Sequence, residues 1–220
     1  MKPSAGQMIL TALKNKDADR PRSKQVEIGV SSLGDCSRRV WFKLNNYQST
    51  TVTDNLSAIM GTAIHRAVEE AIAYDLFGTI ETEIEVEYEG LKGHIDIYVE
   101  VDGEVIDVKT KNKKNAGYFP SPQEKWQVHT YGFMLDKNGK PVKTVTLVCI
   151  FRDGEAGDVL EYSVPYDESI ALEALAWLEN VKAMTEAPEP EKPLEYCVLY
   201  CEFYGKLCGG GAPRSKKRRY

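Results

Sequence analysis

The chain has 220 residues, 42% of them hydrophobic and 28% charged, which suits a globular domain with a real buried core. Lys and Arg number 28 against 33 Asp and Glu, a formal charge of −5 with a pI near 5.4. This excludes a surface that is basic all over and confines any nucleic-acid path to local patches. No run reaches the roughly 18 uninterrupted apolar residues of a membrane span, and the opening MKPSAGQMILTALKNKDADR lacks the apolar core of a signal peptide. A cytoplasmic protein, prokaryotic or viral-encoded and without membrane association, is expected.

Residues 1–30 read as a polar segment, apart from a short helix near Met8 to Leu13. Ser31 or Ser32 is placed to cap a helix that carries Cys36 and runs to about Leu44. From Leu56, the apolar positions Ile59, Met60, Ala63, Ile64, Ala67, Val68, Ala71 and Ile72 recur at steps of three and four, an amphipathic helix with His65 and Glu69 on its other edge. Residues 80–88 alternate Ile80, Thr82, Ile84, Val86 and Tyr88 with four glutamates, as a half-buried strand does.

A second strand is expected over His94 to Val101 and a third over Glu104 to Thr110, joined by the hairpin turn signal Asp102-Gly103. Ser121, Pro122 and Glu124 form a capping box with proline at the first helical position, so a helix should run through Gln127 and Tyr131 to about Leu135. Strands follow at Val142 to Phe151, where Cys149 reads as an ordinary core residue, and at Val159 to Val164, with a helix over 168–184. Residues 31–208 are thus expected to form a single domain, closed by a cysteine-rich segment and followed by a flexible basic tail over 209–220.

The chemistry concentrates on the hairpin. A two-residue turn sets Val101 against Glu104, Tyr98 against Asp107 and Asp96 against Lys109. Alternation then gives Ile95, Ile97, Val99, Ile106 and Val108 one apolar face and gathers Asp96, Asp107 and Lys109 on the other. One reading of that face is a salt-bridged exterior. The other is a site for a hard divalent cation such as Mg²⁺, with a lysine beside it, which suits phosphodiester hydrolysis.

Asp96, then ten residues, then Asp107-Val108-Lys109 resembles the Asp…Asp/Glu-x-Lys core of PD-(D/E)xK nucleases. Gly61…His65 upstream and Gln127…Tyr131 downstream resemble, in the same order, the added motifs of the RecB-like members. The resemblance implies a restriction-endonuclease-like α/β fold, a mixed sheet flanked by helices with the site at the central hairpin. It also implies a Mg²⁺- or Mn²⁺-dependent DNA exonuclease acting on single-stranded DNA or free ends, in recombination, repair or DNA processing. In it, His65, Asp96 and Asp107 bind the metal with the Val108 carbonyl, Lys109 is catalytic, and Gln127 and Tyr131 position substrate or Lys109. His94 and His129 lie outside the motif positions and are expected near the substrate or the ligands at most.

Five cysteines, an odd number, argue against a disulfide scaffold and toward a metal site with one to spare. Cys197, Cys201 and Cys208 cluster, and Cys36 precedes them by 197 − 36 = 161 positions. Four thiolates suit zinc or an iron–sulfur cluster, and spacing alone does not choose; buried thiols beside Tyr196, Tyr200, Phe203 and Tyr204 are the plain alternative. One cysteine before the nuclease core and three after it resembles the CRISPR-associated RecB-like family, which implies a 4Fe-4S cluster.

The basic candidates for a DNA path are Arg38, Arg39 and Lys43; Lys109, Lys111, Lys113 and Lys114; and the tail Lys216, Lys217, Arg218 and Arg219, each a solvated face on the plainer reading. Trp41 beside the first group, and Tyr118 with Phe119 after the second, are placed either to stack bases or to pack. Recombination or repair proteins, or a second copy of the chain, are conceivable partners. The rivals are a nuclease fold that binds DNA without cutting it, and a structure- or site-specific endonuclease on the same core.

Overall fold

The computed structural model describes residues 4–18, 28–50, 56–75, 80–155 and 157–211. The basic tail residues Lys216, Lys217, Arg218 and Arg219 lie outside them. The elements in order are α1 (Ala5–Ala18), α2 (Ser37–Leu44), α3 (Leu56–Asp75), β1 (Ile80–Tyr88), β2 (Leu91–Val99), β3 (Glu104–Lys111), α4 (Pro122–Lys137), β4 (Thr144–Phe151), β5 (Val159–Pro165), α5 (Glu168–Ala183) and α6 (Leu194–Tyr200), with 3-10 turns at Val30–Ser32 and Lys113–Tyr118.

The chain divides into two compact units. The larger comprises residues 28–35 and 64–185. It holds one five-stranded sheet in the order β1-β2-β3-β4-β5, mixed because β3 and β4 run parallel while every other pair is antiparallel. The parallel step requires a crossover, and α4 supplies it. Helix α4 starts at the expected capping box: the Ser121 hydroxyl accepts the Glu124 N–H, and the Glu124 carboxylate accepts the Ser121 N–H. Its residues from Gln127 to Leu135 are all buried, and α5 packs beside it, with Trp126 and Trp177 6.0 Å apart between ring centres. Both faces of the central strands are covered: Ile95, Tyr98, Val105, Val145, Leu147 and Cys149 are fully buried. Doubly covered strands leave no face for a salt-bridged exterior.

The smaller unit comprises residues 1–27, 36–63 and 186–220. Here α2 and the cysteine-rich segment meet: Phe42 packs on Phe203, centroids 5.1 Å apart, and the Glu202 carboxylate pairs with Arg39 at 2.8 Å and Lys43 at 3.2 Å. Arg38 donates to the Pro188 carbonyl at 2.8 Å. The first basic group is therefore engaged in intramolecular ties.

Three details depart from expectation. Ser31 and Ser32 sit in a 3-10 turn and cap nothing, and α2 begins after Cys36, which is its N-cap. The β2–β3 register is Val99↔Glu104, Tyr98↔Val105 and Ile97↔Ile106, two residues away from the Asp102-Gly103 register, because the chain turns over the longer loop 100–103 with Gly103 at φ 63°. Finally, Met60, Ala63, Ala67 and Ala71 of α3 are exposed, whereas Gly61, Ile64, His65, Val68, Glu69 and Ile72 are the covered positions. His65 and Glu69 thus belong to the inward stripe, not to the outer edge.

Candidate active site

A two-residue slip leaves every side chain on its original face, because strand side chains alternate with period two. Asp96, Asp107 and Lys109 therefore still converge, but with Asp96 opposite Asp107 if the observed register is continued. Beyond Ile97↔Ile106 the β2–β3 ladder opens, and the Asp96 carboxylate takes the place of a backbone partner, accepting the Val108 N–H at 2.7 Å. A strand residue presents its N–H and C=O on the same edge, so the Val108 carbonyl also faces the opened side toward Asp96.

Asp96 and Asp107 are 4% and 2% exposed, depths at which an ionised carboxylate persists only with partners. The other Asp96 oxygen lies 3.3 Å from His65 Nδ1. Lys109 Nζ stands 2.6 Å from Asp107 Oδ2 and 2.8 Å from Gln127 Oε1. The Gln127 amide NH2 donates to the Tyr131 hydroxyl at 2.9 Å and, at 3.4 Å, to Asp107 Oδ1. This fixes the amide orientation, since the flipped form would set NH2 against the Lys109 ammonium. One α4 turn separates Gln127 from Tyr131, so both reach the sheet face that carries the acids.

Burial, the largest influence on Asp107, pushes its carboxyl up to about 6 against the pull of Lys109. On Asp96 burial also pushes upward but is outweighed by the hydrogen bond and charge of His65 and by the Val108 N–H, so its acid strength rises. His65 is made more basic chiefly by its hydrogen bond to Asp96, with burial opposing. Two neighbouring carboxylates are thereby driven apart in affinity for protons.

A donor the sequence reading mentioned but did not assign joins them. His65, Glu69 and Asp96 bring one ligand atom each within 4.8 Å of one another, a mixed imidazole and carboxylate set suited to a divalent cation. Glu69 is raised to about 7, first by burial and then by its hydrogen bond to Glu83. The step of four from His65 to Glu69 on one helix face was the signal that could have found it.

The other two histidines stand apart. His94 pairs with the exposed Glu85 at 3.3 Å, and His129 is buried, its Nδ1 accepting the Asp167 N–H at 3.2 Å. Trp41 is 8% exposed and packs against Phe42 and Tyr47, so its role is packing.

In the smaller unit, Cys36, Cys197, Cys201 and Cys208 line one cavity together with Arg38, Arg39, Phe42, Lys192 and Tyr196. All five cysteines are buried free thiols. Cys149 stands on β4, fully buried in the sheet core as expected.

A mixed sheet whose central hairpin aims Asp, Asp-x-Lys and a helical Gln/Tyr pair at one point defines a nuclease class, and the comparisons with known proteins agree. The chain belongs to the PD-(D/E)XK nuclease superfamily, whose family profile matches residues 38–208; nucleases of this superfamily use divalent metals. Among solved structures it is similar to SSO0001, at 21% identity and a TM-score of 0.57, over 92% of this chain and 96% of that one. It is also similar to LHK-Exo, an alkaline exonuclease from Laribacter hongkongensis, at 11% identity and a TM-score of 0.51, over 74% and 89%. LHK-Exo has also been solved in complex with dAMP. No curated protein matches. No helix among the described residues is long and apolar enough to cross a membrane.

Proposed function

We propose that the chain is a metal-dependent DNA exonuclease that hydrolyses phosphodiester bonds in single-stranded DNA or at free ends. The observation that carries this reading is the pair of contact chains that β2 and β3 bring side by side, His65 to Asp96 to the Val108 N–H, and Asp107 to Lys109, Gln127 and Tyr131. Both carboxylates are buried. Resemblance to the RecB-like nucleases and the exonuclease fold of LHK-Exo support the choice of reaction.

His65, Glu69, Asp96, Asp107 and the Val108 carbonyl would hold Mg²⁺ or Mn²⁺, five donors that together match a small hard ion. When bound, that ion lowers the pKa of water and offsets charge growing on the phosphate. The chain's own groups do the rest. The Lys109 ammonium, held by Asp107 and Gln127, orients the attacking water or the phosphate oxygens. Gln127 fixes Lys109, and Tyr131 fixes Gln127. The Val108 N–H holds Asp96 in one rotamer.

The test incubates purified protein with end-labelled single-stranded, linear duplex and circular DNA, with Mg²⁺ or Mn²⁺, beside Asp107→Ala. Metal-dependent loss of linear DNA with wild type alone is expected. Cutting of circles equal to cutting of linear DNA would instead indicate an endonuclease, and binding without cutting a DNA-binding protein. Recombination, repair and CRISPR adaptation are the settings in which such an activity acts.

For the cysteine centre, the reading is a 4Fe-4S cluster on Cys36, Cys197, Cys201 and Cys208. The four residues line one cavity, and Arg38, Arg39 and Lys192 around it would offset the negative charge of such a cluster. Protein prepared without oxygen should be brown and hold iron. Colourless protein carrying stoichiometric zinc would replace iron with zinc.

A further inference from the structure

Four cysteines line the cavity of the smaller unit, and three cations, Arg38, Arg39 and Lys192, line it with them. The cations are not equivalent. Arg39 donates its Nε–H to the Glu202 carboxylate at 2.8 Å. Arg38 is gripped at its far end: Nη1 donates to the Pro188 carbonyl at 2.8 Å and to the Ala187 carbonyl at 3.4 Å, and the guanidinium carbon lies 5.3 Å from the centre of the Phe42 ring. Its Nε is buried and meets no acceptor among the described residues. A charged N–H shut away from water without an acceptor loses its hydration and regains nothing, so such a group is rarely left orphaned in a native fold.

The cavity wall brings cysteine sulfurs together as candidate acceptors. Cys208 Sγ already accepts the Gly210 N–H at 3.4 Å. Gly210 has φ 78°, and a Cβ there would stand 3.1 Å from Leu194 and 3.2 Å from Cys197, so its backbone comes this close only because no side chain intervenes. No carboxylate among the described residues lines the cavity. Sulfur ligands, N–H donors and a cationic wall fit an anionic metal–thiolate centre, whose sulfurs accept hydrogen bonds that tune its potential.

We propose that Arg38 donates its Nε–H to a sulfur of the 4Fe-4S cluster and raises the cluster's reduction potential. The proposal rests on the cluster reading above and names the residue that tunes the centre. One-electron reduction adds negative charge to a cluster, so a fixed donor and its positive charge stabilise the reduced form more than the oxidised one. A guanidinium suits that post better than an ammonium, because it is planar and weakly hydrated and is held through one nitrogen while another stays available. Arg38 acts through the cluster, so its signature is a potential and a spectrum rather than a rate.

The experiment uses the full chain purified without oxygen, as wild type, Arg38→Lys, Arg39→Lys and Lys192→Met, each grown with ¹⁵N-arginine. Iron and sulfide per chain are counted, and the midpoint is read by dithionite titration with mediators. Pulsed EPR of the reduced protein reads couplings from ¹⁵N to the cluster. An arginine coupling is expected in wild type, Arg39→Lys and Lys192→Met, and its loss in Arg38→Lys. The midpoint should fall in Arg38→Lys although the charge is kept, and by more than in Lys192→Met, which removes a charge but not the Arg38 N–H. Should Arg38→Lys shed its iron, wild type and Arg39→Lys decide by themselves: a coupling in both assigns it to Arg38. An iron-loaded Arg38→Lys with the wild-type midpoint, a wild type without the coupling, or a coupling that vanishes in Arg39→Lys would overturn the role of Arg38 and leave the cluster reading standing. A wild-type cluster that dithionite leaves oxidised would overturn the raised potential. A wild type that holds zinc or no metal would overturn both.

Discussion

At the scale of single residues, the chemistry depends on one buried carboxyl that resists ionisation. Asp107 is raised to about 6, first by burial, with Lys109 opposing. A group whose folded pKa exceeds its unfolded value contributes stability that is complete below the unfolded pKa and is lost as pH rises through the folded one. For Asp107 that window runs from the ordinary aspartate value near 3.8 to about 6. In the difference between metal-free wild type and Asp107→Asn, wild type should therefore lose relative stability across this window, measured by urea unfolding at stepped pH. A difference that does not change with pH would show that Asp107 is not raised. A cation must displace the protons of Asp107 and Glu69, so metal affinity should rise with pH through about 6 to about 7, with the proton of His65, made more basic by Asp96, adding to the rise. Titration calorimetry in two buffers of different ionisation heat reads the released protons. Lys109 offers a separate prediction: Lys109→Ala should lower kcat by roughly 10²–10³, the loss of one positioned charge at the reacting phosphate, while calorimetry still registers metal binding. Loss of metal binding in that variant would make Lys109 a structural partner of Asp107 only.

At the scale of elements, the site exists because α4 is held at a set depth over β2 and β3. Ser121 and Glu124 define where the helix begins, and Ser121→Ala should cost about 1 kcal/mol in denaturant unfolding, with activity kept once the protein is folded. Gly93 on β2 sets the depth. A Cβ there would come within 2.7 Å of the Tyr131 ring and 2.9 Å of Val30, so Gly93→Ala should push Tyr131 off Gln127 and reduce kcat as well as stability. Unchanged kcat in folded Gly93→Ala would show that Tyr131 does not hold the network. Element types and most boundaries were readable from the chain, because periodicity and capping chemistry are local. What was not readable was non-local. Asp102-Gly103 has the composition of a two-residue turn, yet the pairing of Val99 with Glu104 was decided by packing of the sheet, and only the period of two kept the motif legible. The burial of His65 and Glu69 was missed for a similar reason. The alanines of α3 mimic an apolar face, while an inward stripe carrying a histidine and a glutamate is what an active site demands at the expense of hydrophobic pattern.

At the scale of the molecule, the smaller unit gathers segments from opposite ends of the chain, residues 36–63 and 186–220. Among the described residues its ties include the Glu202 pairs, the Ser37 N–H to Glu191 at 3.1 Å, the Thr50 N–H to the Glu202 carbonyl at 2.8 Å, and the Phe42–Phe203 contact. A segment so assembled must overcome the closure entropy of a loop of 161 positions between Cys36 and Cys197. The four cysteines supply what the apolar contacts lack, if a metal centre binds them in the folded state alone. Burial holds the Cys201 thiol above its ordinary value, so without a metal Cys201 would stay a neutral thiol, and a cationic centre is what would make a thiolate of it. Cys201→Ser should then release iron and lower stability by about 2–4 kcal/mol, the scale of a cross-link over a long loop. Melting should become biphasic as the smaller unit opens first, with trypsin cutting after Arg39 or Lys192 before any site in the sheet. Chelating the metal from wild type should reproduce the same early transition. An iron-free wild type whose melting matches that of Cys201→Ser would mean that the aromatic and ionic ties hold the unit unaided, and that the thiols are packing.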